Sequence, residues 1–129
     1  MKRKLRILVV DDEELIRRIL RRVLEADGHT VVEALNGDEA WNQFLAQAET
    51  RAFDLVITDV NMPIVSGIEL LKRIKASTRI TRIICLSGVN DLDSLLGLRA
   101  QGFTEVLGKP VDSLLLRETI VRLFDGQPS

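Results

Sequence analysis

The chain has 129 residues, which is room for one domain of ordinary size. Its 18 lysines and arginines nearly balance its 19 aspartates and glutamates, so a net charge of −1 gives no bulk attraction to nucleic acid or anionic membranes. No apolar run approaches the roughly 18 residues that a membrane span needs. We therefore expect one soluble, cytoplasmic domain that binds neither membrane nor nucleic acid directly.

Short apolar segments recur along the chain, and most lack the alternation of a half-exposed strand. They are 5–10, 30–34, 53–58, 82–87 and 103–107. Such runs predict parallel strands that are covered on both faces, and the segments between them have helical periodicity. This alternation predicts an α/β fold, a doubly wound five-stranded parallel sheet with strand order 2-1-3-4-5.

The first helix is predicted to be amphipathic, with apolar residues at spacings of three and four. The apolar positions are Leu15, Ile16, Ile19, Leu20, Val23 and Leu24. This assignment leaves Arg17, Arg18, Arg21 and Arg22 on the solvent face. We interpret these arginines as a solvated surface, with a docking surface for an acidic partner as the alternative.

Capping signals mark the starts of the second and third helices, at Asn36 and at Ser66. The fourth and fifth helices are predicted at 91–100 and 112–124. Gly97 costs the fourth helix about 1 kcal/mol of propensity relative to alanine, which fits a movable element or, equally, a close packing contact. We expect a domain over residues 1–124, followed by a tail or the start of a linker at 125–129.

Polar residues stand at the carboxyl ends of the predicted strands, where sheets of this kind bind ligands. They are Asp11, Asp12, Asp59, Ser87 and Lys109. Converging carboxylates repel each other unless a cation is present, and hard oxygen ligands suit Mg²⁺. A carboxylate can also accept a phosphoryl group, whose oxygens a lysine and a serine can bind. Taken singly, each aspartate could be a helix cap and Ser87 a local hydrogen-bonding group, but the set indicates phosphoryl transfer to Asp59.

Together these motifs resemble the receiver domain of two-component response regulators, the CheY-like family. The motifs fall in order as Asp11-Asp12, Asp59-Val60-Asn61-Met62-Pro63, Gly67, Ser87-Gly88 and Lys109-Pro110. The resemblance extends from about Leu5 to Phe124. It implies a flavodoxin-like (βα)5 fold and a phosphoprotein that acts in phosphorelay signal transduction.

The resemblance also implies a role for each matching residue. Asp59 is the expected phosphoacceptor, carrying an aspartyl phosphate, and Ser87 and Lys109 are expected to bind the phosphoryl group. The expected ligands of Mg²⁺, or alternatively Mn²⁺, are Asp11 through water, Asp12, Asp59 and the backbone carbonyl of Asn61. The loop positions of the motif are Met62, Pro63, Gly67, Gly88 and Pro110, and the Lys109-Pro110 bond is often cis in this family.

One position departs from the family pattern. Receivers usually carry tyrosine or phenylalanine three positions before the lysine, as an aromatic switch residue, and here that position is Val106. We therefore expect any signal to travel through the loop after the fourth strand and through the fourth helix.

The resemblance implies partners as well. The expected phosphodonor is a sensor histidine kinase or a phosphotransfer protein, and the expected target is an output domain or a downstream protein. The fourth helix, fifth strand and fifth helix are the surface through which receivers commonly form homodimers. We expect no enzyme activity beyond self-phosphorylation and self-dephosphorylation.

Three alternatives remain open at this point. A phosphorylation-independent docking module would not need the complete acidic set. A phosphohydrolase with an aspartate nucleophile, like the haloacid dehalogenases, would need a second aspartate as general acid where this chain has Asn61. A mononucleotide-binding flavodoxin-like role is disfavoured because the acids from Asp11 to Glu14 would repel a phosphate after the first strand.

Overall fold

The computed structural model describes residues 3–47, 49–77, 79–89 and 91–124. The predicted tail, residues 125–129, lies outside the described residues. Within them, five parallel strands form one sheet in the order β2-β1-β3-β4-β5, as predicted. The strands are β1 (Arg6–Val10), β2 (Thr30–Ala34), β3 (Leu55–Asp59), β4 (Arg82–Ser87) and β5 (Glu105–Gly108). The helices are α1 (Glu14–Ala26), α2 (Gly37–Ala46), α3 (Gly67–Ala76), α4 (Leu92–Gln101) and α5 (Ser113–Phe124), with a 3-10 turn at Glu49–Arg51.

Both faces of the sheet are covered, which is why its strands are nearly continuous apolar runs. Ile7 and Val9 of β1 belong to a core that includes Leu20 of α1 and Leu116 of α5. The alternate side chains of the same strand pack into a second core on the opposite face, built mainly with α2 and α3. None of the described helices is long and apolar enough to cross a bilayer.

The ends of β3 and β5 differ from the sequence prediction. Phe53 and Phe103 are buried, but both precede the first paired residue of their strands. An apolar side chain indicates burial, whereas a strand also requires backbone pairing. The strands predicted from the apolar runs therefore begin too early. At the other end of β3, the backbone pairing extends one residue further than the apolar run, so Asp59 is the last residue of the strand.

The orientation of α1 also differs from the prediction in part. Arg17, predicted on the solvent face, is only 7% exposed, whereas Leu15 is 65% exposed. Arg17 lies three residues before Leu20 and seven before Leu24, so helical geometry places it on their inward face. Ile19, also predicted to face the core, is exposed as well. The burial of Arg17 is tolerated because its guanidinium donates to Asp11 and Glu33, as described below.

Helix α4 packs loosely, since none of its residues is buried. Asp91 caps it by accepting a hydrogen bond from the Ser94 backbone N–H at 3.0 Å. A Cβ added at Gly97 would meet no atom within 4 Å. The alternative that Gly97 serves a close packing contact is therefore wrong, whereas its role in a movable element stays a prediction.

Two glycines give a matched test of backbone packing. A Cβ at Gly67 would lie 2.2 Å from the Asp59 carbonyl oxygen, whereas Gly97 has open space. Gly67→Ala should destabilise the fold by about 1 to 3 kcal/mol through overpacking, and Gly97→Ala should stabilise it by about 0.5 to 1 kcal/mol through helix propensity. Urea unfolding followed by Trp41 fluorescence measures both changes. Equal effects of the two substitutions would contradict the described packing.

Candidate functional site

The carboxyl ends of the three central strands and β5 bring the predicted site residues to one edge of the sheet. Asp11 directly follows β1, Asp59 and Ser87 are the last residues of β3 and β4, and Lys109 directly follows β5. The ends of β4 and β5 are joined by the Lys109 backbone N–H, which donates to the Ser87 carbonyl at 2.8 Å. The parallel registers therefore assemble residues that are far apart in the chain.

Lys109 lies between two of the predicted carboxylates. Its Nζ is 3.0 Å from Asp11 Oδ2 and 3.2 Å from Asp59 Oδ2. The Asp11 side chain is completely buried, and those of Asp59 and Lys109 are 12% and 17% exposed. One ammonium group thus neutralises charge on two carboxylates that water barely reaches.

The charges in this cluster shift the pKa values of its members. Burial raises the pKa of Asp59, and the neighbouring Asp11 charge raises it further, against the opposing effects of Lys109 and the Val60 N–H. Burial alone would lower the pKa of Lys109, but its bonds to Asp11 and Asp59 outweigh this effect and leave that pKa raised. The site therefore disfavours an unaccompanied negative charge on Asp59 and favours a cation beside it.

The acidic loop after β1 offers ligands for a metal ion. Oxygens of the Asp11, Asp12 and Glu13 carboxylates all lie within 4.8 Å of one another. Asp12 and Glu13 are exposed, and the Glu13 N–H donates to Asp11 Oδ1 at 2.9 Å. Such a set of hard oxygen donors fits Mg²⁺. Glu13 is not among the predicted ligands, although its position directly after two aspartates is a signal in the sequence. Asp59 lies outside this group, on the other side of the Lys109 ammonium.

A cavity of about 520 Å³ opens beside Asp59. The residues that line it include Asn61, Ser87, Gly88, Gly97 and Leu98. The Ser87 hydroxyl oxygen accepts a hydrogen bond from the Val89 N–H at 3.1 Å, so it makes the local backbone contact that the sequence left as its alternative role. Ser87 nevertheless lines the same cavity as Asp59, which also brings it to the site.

The loop between β3 and α3 borders the cavity, which Val60 and Asn61 help to line. The Gly67 N–H donates to the Val60 carbonyl at 2.8 Å, which closes the loop tightly enough to exclude a Cβ at Gly67. Met62 is partly buried, with its sulfur 4.0 Å from the Thr58 hydroxyl, whereas Asn61 and Pro63 are exposed.

Two further positions singled out in the sequence lie around β5. The peptide bond between Lys109 and Pro110 is cis. Val106, at the position of the usual aromatic residue, is partly buried against the core formed with α2 and α3. The side chain at this position is thus a compact aliphatic group packed on the sheet.

Cys85 has no place in the chemistry of this edge. It is fully buried, and burial raises its pKa to about 12, with the Asp59 charge adding to the effect and Lys109 opposing it. At neutral pH the thiol is therefore protonated and shielded.

Removing the Lys109 ammonium tests the charge balance of the site. Lys109→Met should lower the free energy of unfolding by about 1 to 3 kcal/mol, because it leaves buried charged groups without their partner. Millimolar Mg²⁺ should restore part of the loss, since an ion that binds only the folded state stabilises it. Lys72→Met, at an exposed position of α3, is the control and should change stability little. Equal stability of the two variants, measured by urea unfolding, would contradict this description.

Comparison with known proteins agrees with this geometry. The family model described as "Response regulator receiver domain" matches residues 7–121. Chemotaxis protein CheY1 of Helicobacter pylori (strain J99) is 32% identical over 119 residues, covering 90% of this chain and 94% of that protein. The alkaline phosphatase synthesis transcriptional regulatory protein PhoP of Bacillus subtilis is 38% identical over 106 residues, which are 81% of this chain.

The chain spans less than half the length of some relatives, 42% of PhoP and 45% of the response regulator GtcR of Aneurinibacillus migulanus. Among solved structures, chemotaxis response regulator CheY4 of Vibrio cholerae superposes with a TM-score of 0.83 at 30% identity, covering 95% of this chain and all of that one. A receiver domain protein from Clostridium thermocellum gives the same TM-score at 34% identity, with 95% of each chain covered. The chain belongs to the receiver domain family of two-component response regulators, with the CheY-like fold.

Proposed function

We propose that this receiver accepts a phosphoryl group on Asp59 in a reaction that depends on a divalent cation. The observation that carries the proposal is the position of Asp59 at the end of β3, with Lys109 Nζ 3.2 Å from one of its carboxylate oxygens and a cavity open beside it. A buried carboxylate with a cation on one side and open volume on the other can receive an anionic group from solvent.

The step forms one bond and breaks one. A carboxylate oxygen of Asp59 attacks the phosphorus of a partner's phosphohistidine, and the phosphorus–nitrogen bond breaks. The imidazole nitrogen leaves with the bonding electron pair and takes up a proton, and Asp59 becomes an acyl phosphate. The same attack on a small acyl phosphate releases a carboxylate.

Residues around Asp59 have separate roles in this proposal. Lys109 can exchange its contact with the Asp59 carboxylate for one with phosphoryl oxygens, which carry more negative charge. Ser87 can donate its hydroxyl to the same oxygens while its oxygen still accepts from the Val89 N–H, 3.1 Å away, so it would link the phosphoryl group to the β4–α4 loop. The product would therefore pull on the loop between β4 and α4.

The acidic residues fit a divalent cation at this edge. Asp11, Asp12, Asp59 and the backbone carbonyl of Asn61 would hold Mg²⁺, or Mn²⁺ as an alternative, with Glu13 close to the first two. When bound, the ion would neutralise charge on the carboxylates and on phosphoryl oxygens.

The signal would leave the site through α4. This helix has no buried residue, and Gly97 leaves open space beside the cavity. Val106 lacks the aromatic ring that receivers usually carry as a switch residue at this position, so we assign the coupling to the β4–α4 loop. A helix without buried side chains can shift at low energetic cost.

We also propose the partners that the family suggests. The donor would be a sensor histidine kinase or a phosphotransfer protein, and the target an output domain or a downstream protein. Homodimerisation would use α4, β5 and α5, which expose Leu92, Leu96 and Leu114.

Residues 1–124 would form the receiver and 125–129 a tail or linker, without direct binding of nucleic acid by the domain. The receiver family is a signalling module and not a class of conventional enzymes, so we propose no catalytic turnover beyond self-phosphorylation and self-dephosphorylation.

Incubation with acetyl phosphate and Mg²⁺ tests the proposal. Intact mass should show one added phosphate on the wild-type chain, little without Mg²⁺, and none on Asp59→Asn. Asp38→Asn, an exposed position in the first turn of α2, is the matched control and should take up phosphate normally. Phosphate uptake that survives Asp59→Asn would rule out Asp59 as the acceptor, and its absence from the wild type would contradict the function.

A further inference from the structure

Arg17 is the only arginine of the described residues that is buried, and it lies against the acidic loop. Its Nη1 donates to the Asp11 backbone carbonyl at 2.7 Å. Its Nε donates to Glu33 Oε1 on β2 at 3.0 Å. A buried arginine held at two places is a rigid donor, because the guanidinium is planar and its fork is fixed.

Each polar group of Asp11 has a partner, and Arg17 supplies one of them. The Asp11 N–H donates to the Ala34 carbonyl at 3.2 Å, and its two carboxylate oxygens accept from the Glu13 N–H and from Lys109. The remaining polar group of Asp11 is its backbone carbonyl, which accepts from Arg17 and belongs to the peptide bond between Asp11 and Asp12. Arg17 thus fixes the plane of the peptide that joins two of the proposed metal ligands.

Glu33 allows a positive charge to lie at this position. Its Oε1 accepts from Arg17, and its Oε2 accepts from Arg21 Nε at 2.6 Å. An isolated guanidinium this close to the acidic loop would repel a divalent cation. The Glu33 carboxylate offsets that charge, so Arg17 can orient the loop with less repulsion of an incoming cation.

We propose that Arg17, held by Glu33, is a positioning residue that orients the Asp11–Asp12 peptide and thereby sets the affinity of the acidic site for a divalent cation. This inference rests on the proposed function, specifically on metal binding by Asp11 and Asp12. Residues that orient metal ligands typically change metal affinity by about 10- to 100-fold when they are removed.

Mg²⁺ titration of the full chain, followed by backbone amide NMR signals at constant ionic strength, tests the inference. Arg17→Met should weaken Mg²⁺ binding by about tenfold or more. Arg18→Met is the matched control, because it removes the same charge from an exposed side chain whose ion pair, among the described residues, is with Glu14 in the preceding turn. By charge alone, both substitutions would strengthen cation binding, so a weakening confined to position 17 identifies orientation as the cause.

Arg17→Lys keeps the charge and tests geometry alone. A single ammonium cannot reproduce the fork between Asp11 and Glu33, so binding should be intermediate between the wild type and Arg17→Met. If Arg17→Met does not fold, Arg17→Lys decides the question. A folded variant at position 17 with wild-type Mg²⁺ affinity would overturn the role of Arg17 and leave the proposed function intact. A wild-type chain that does not bind Mg²⁺ would contradict the proposed function itself.

Discussion

The two ion pairs of Lys109, with Asp11 and with Asp59, are the interactions on which the candidate site depends. The two carboxylates come from neighbouring strands, and their side chains have little or no exposure to water. Without a cation, their repulsion would oppose the close pairing of β1 with β3. Burial and the Asp11 charge raise the pKa of Asp59 although Lys109 opposes them, and the two carboxylates raise the pKa of Lys109, so the buried carboxylates favour a cation at this point.

The centre of the sheet is tightly packed, whereas α4 packs loosely at the surface. Strands β1, β3 and β4, at whose ends Asp11, Asp59 and Ser87 lie, are buried on both faces, so these ends are held by the two cores. In contrast, α4 buries no residue, and its Arg99 pairs with Glu105 on β5. Burial alone would raise the pKa of Glu105, but its bonds to Arg122 and the Val106 N–H and the Arg99 charge lower it below its usual value, so this carboxylate stays ionised. Under the proposed function, this division would let a charge change at the packed centre become a shift of a helix that buries no residue.

Much of this arrangement could be predicted from the sequence. Continuous apolar strands gave the parallel sheet, and the rule that ligands bind at carboxyl ends of strands brought Asp11, Asp59, Ser87 and Lys109 to one edge. The predicted orientation of Arg17 was wrong, because its burial depends on hydrogen-bonding partners and not on the apolar pattern of α1. Arg17 lies on the inward face of α1 because Glu33 and the Asp11 carbonyl satisfy its charge, and these partners are distant in sequence or belong to the backbone. Hydrophobic periodicity carries no information about such partners, so a buried arginine was assigned to solvent.

The orientation of the Glu13 side chain could not be predicted from the sequence either. Its place in a run of acids was visible, but whether its carboxylate turns toward Asp11 and Asp12 depends on the bend of the loop after β1. Likewise, the open space at Gly97 is a property of how α4 sits on the sheet and not of its own sequence. Local propensity identified these residues, and only tertiary packing determined what surrounds them.

In the proposed function, the Asp59 carboxylate is the phosphoryl acceptor. The most direct measurement is borohydride reduction of the phosphorylated chain, which converts an aspartyl phosphate to homoserine, followed by peptide mass spectrometry. We expect homoserine at position 59 alone, and only in samples treated with both phosphodonor and Mg²⁺. Homoserine at position 11 or 12, or phosphate retained on Ser87 with Asp59 unmodified, would contradict it.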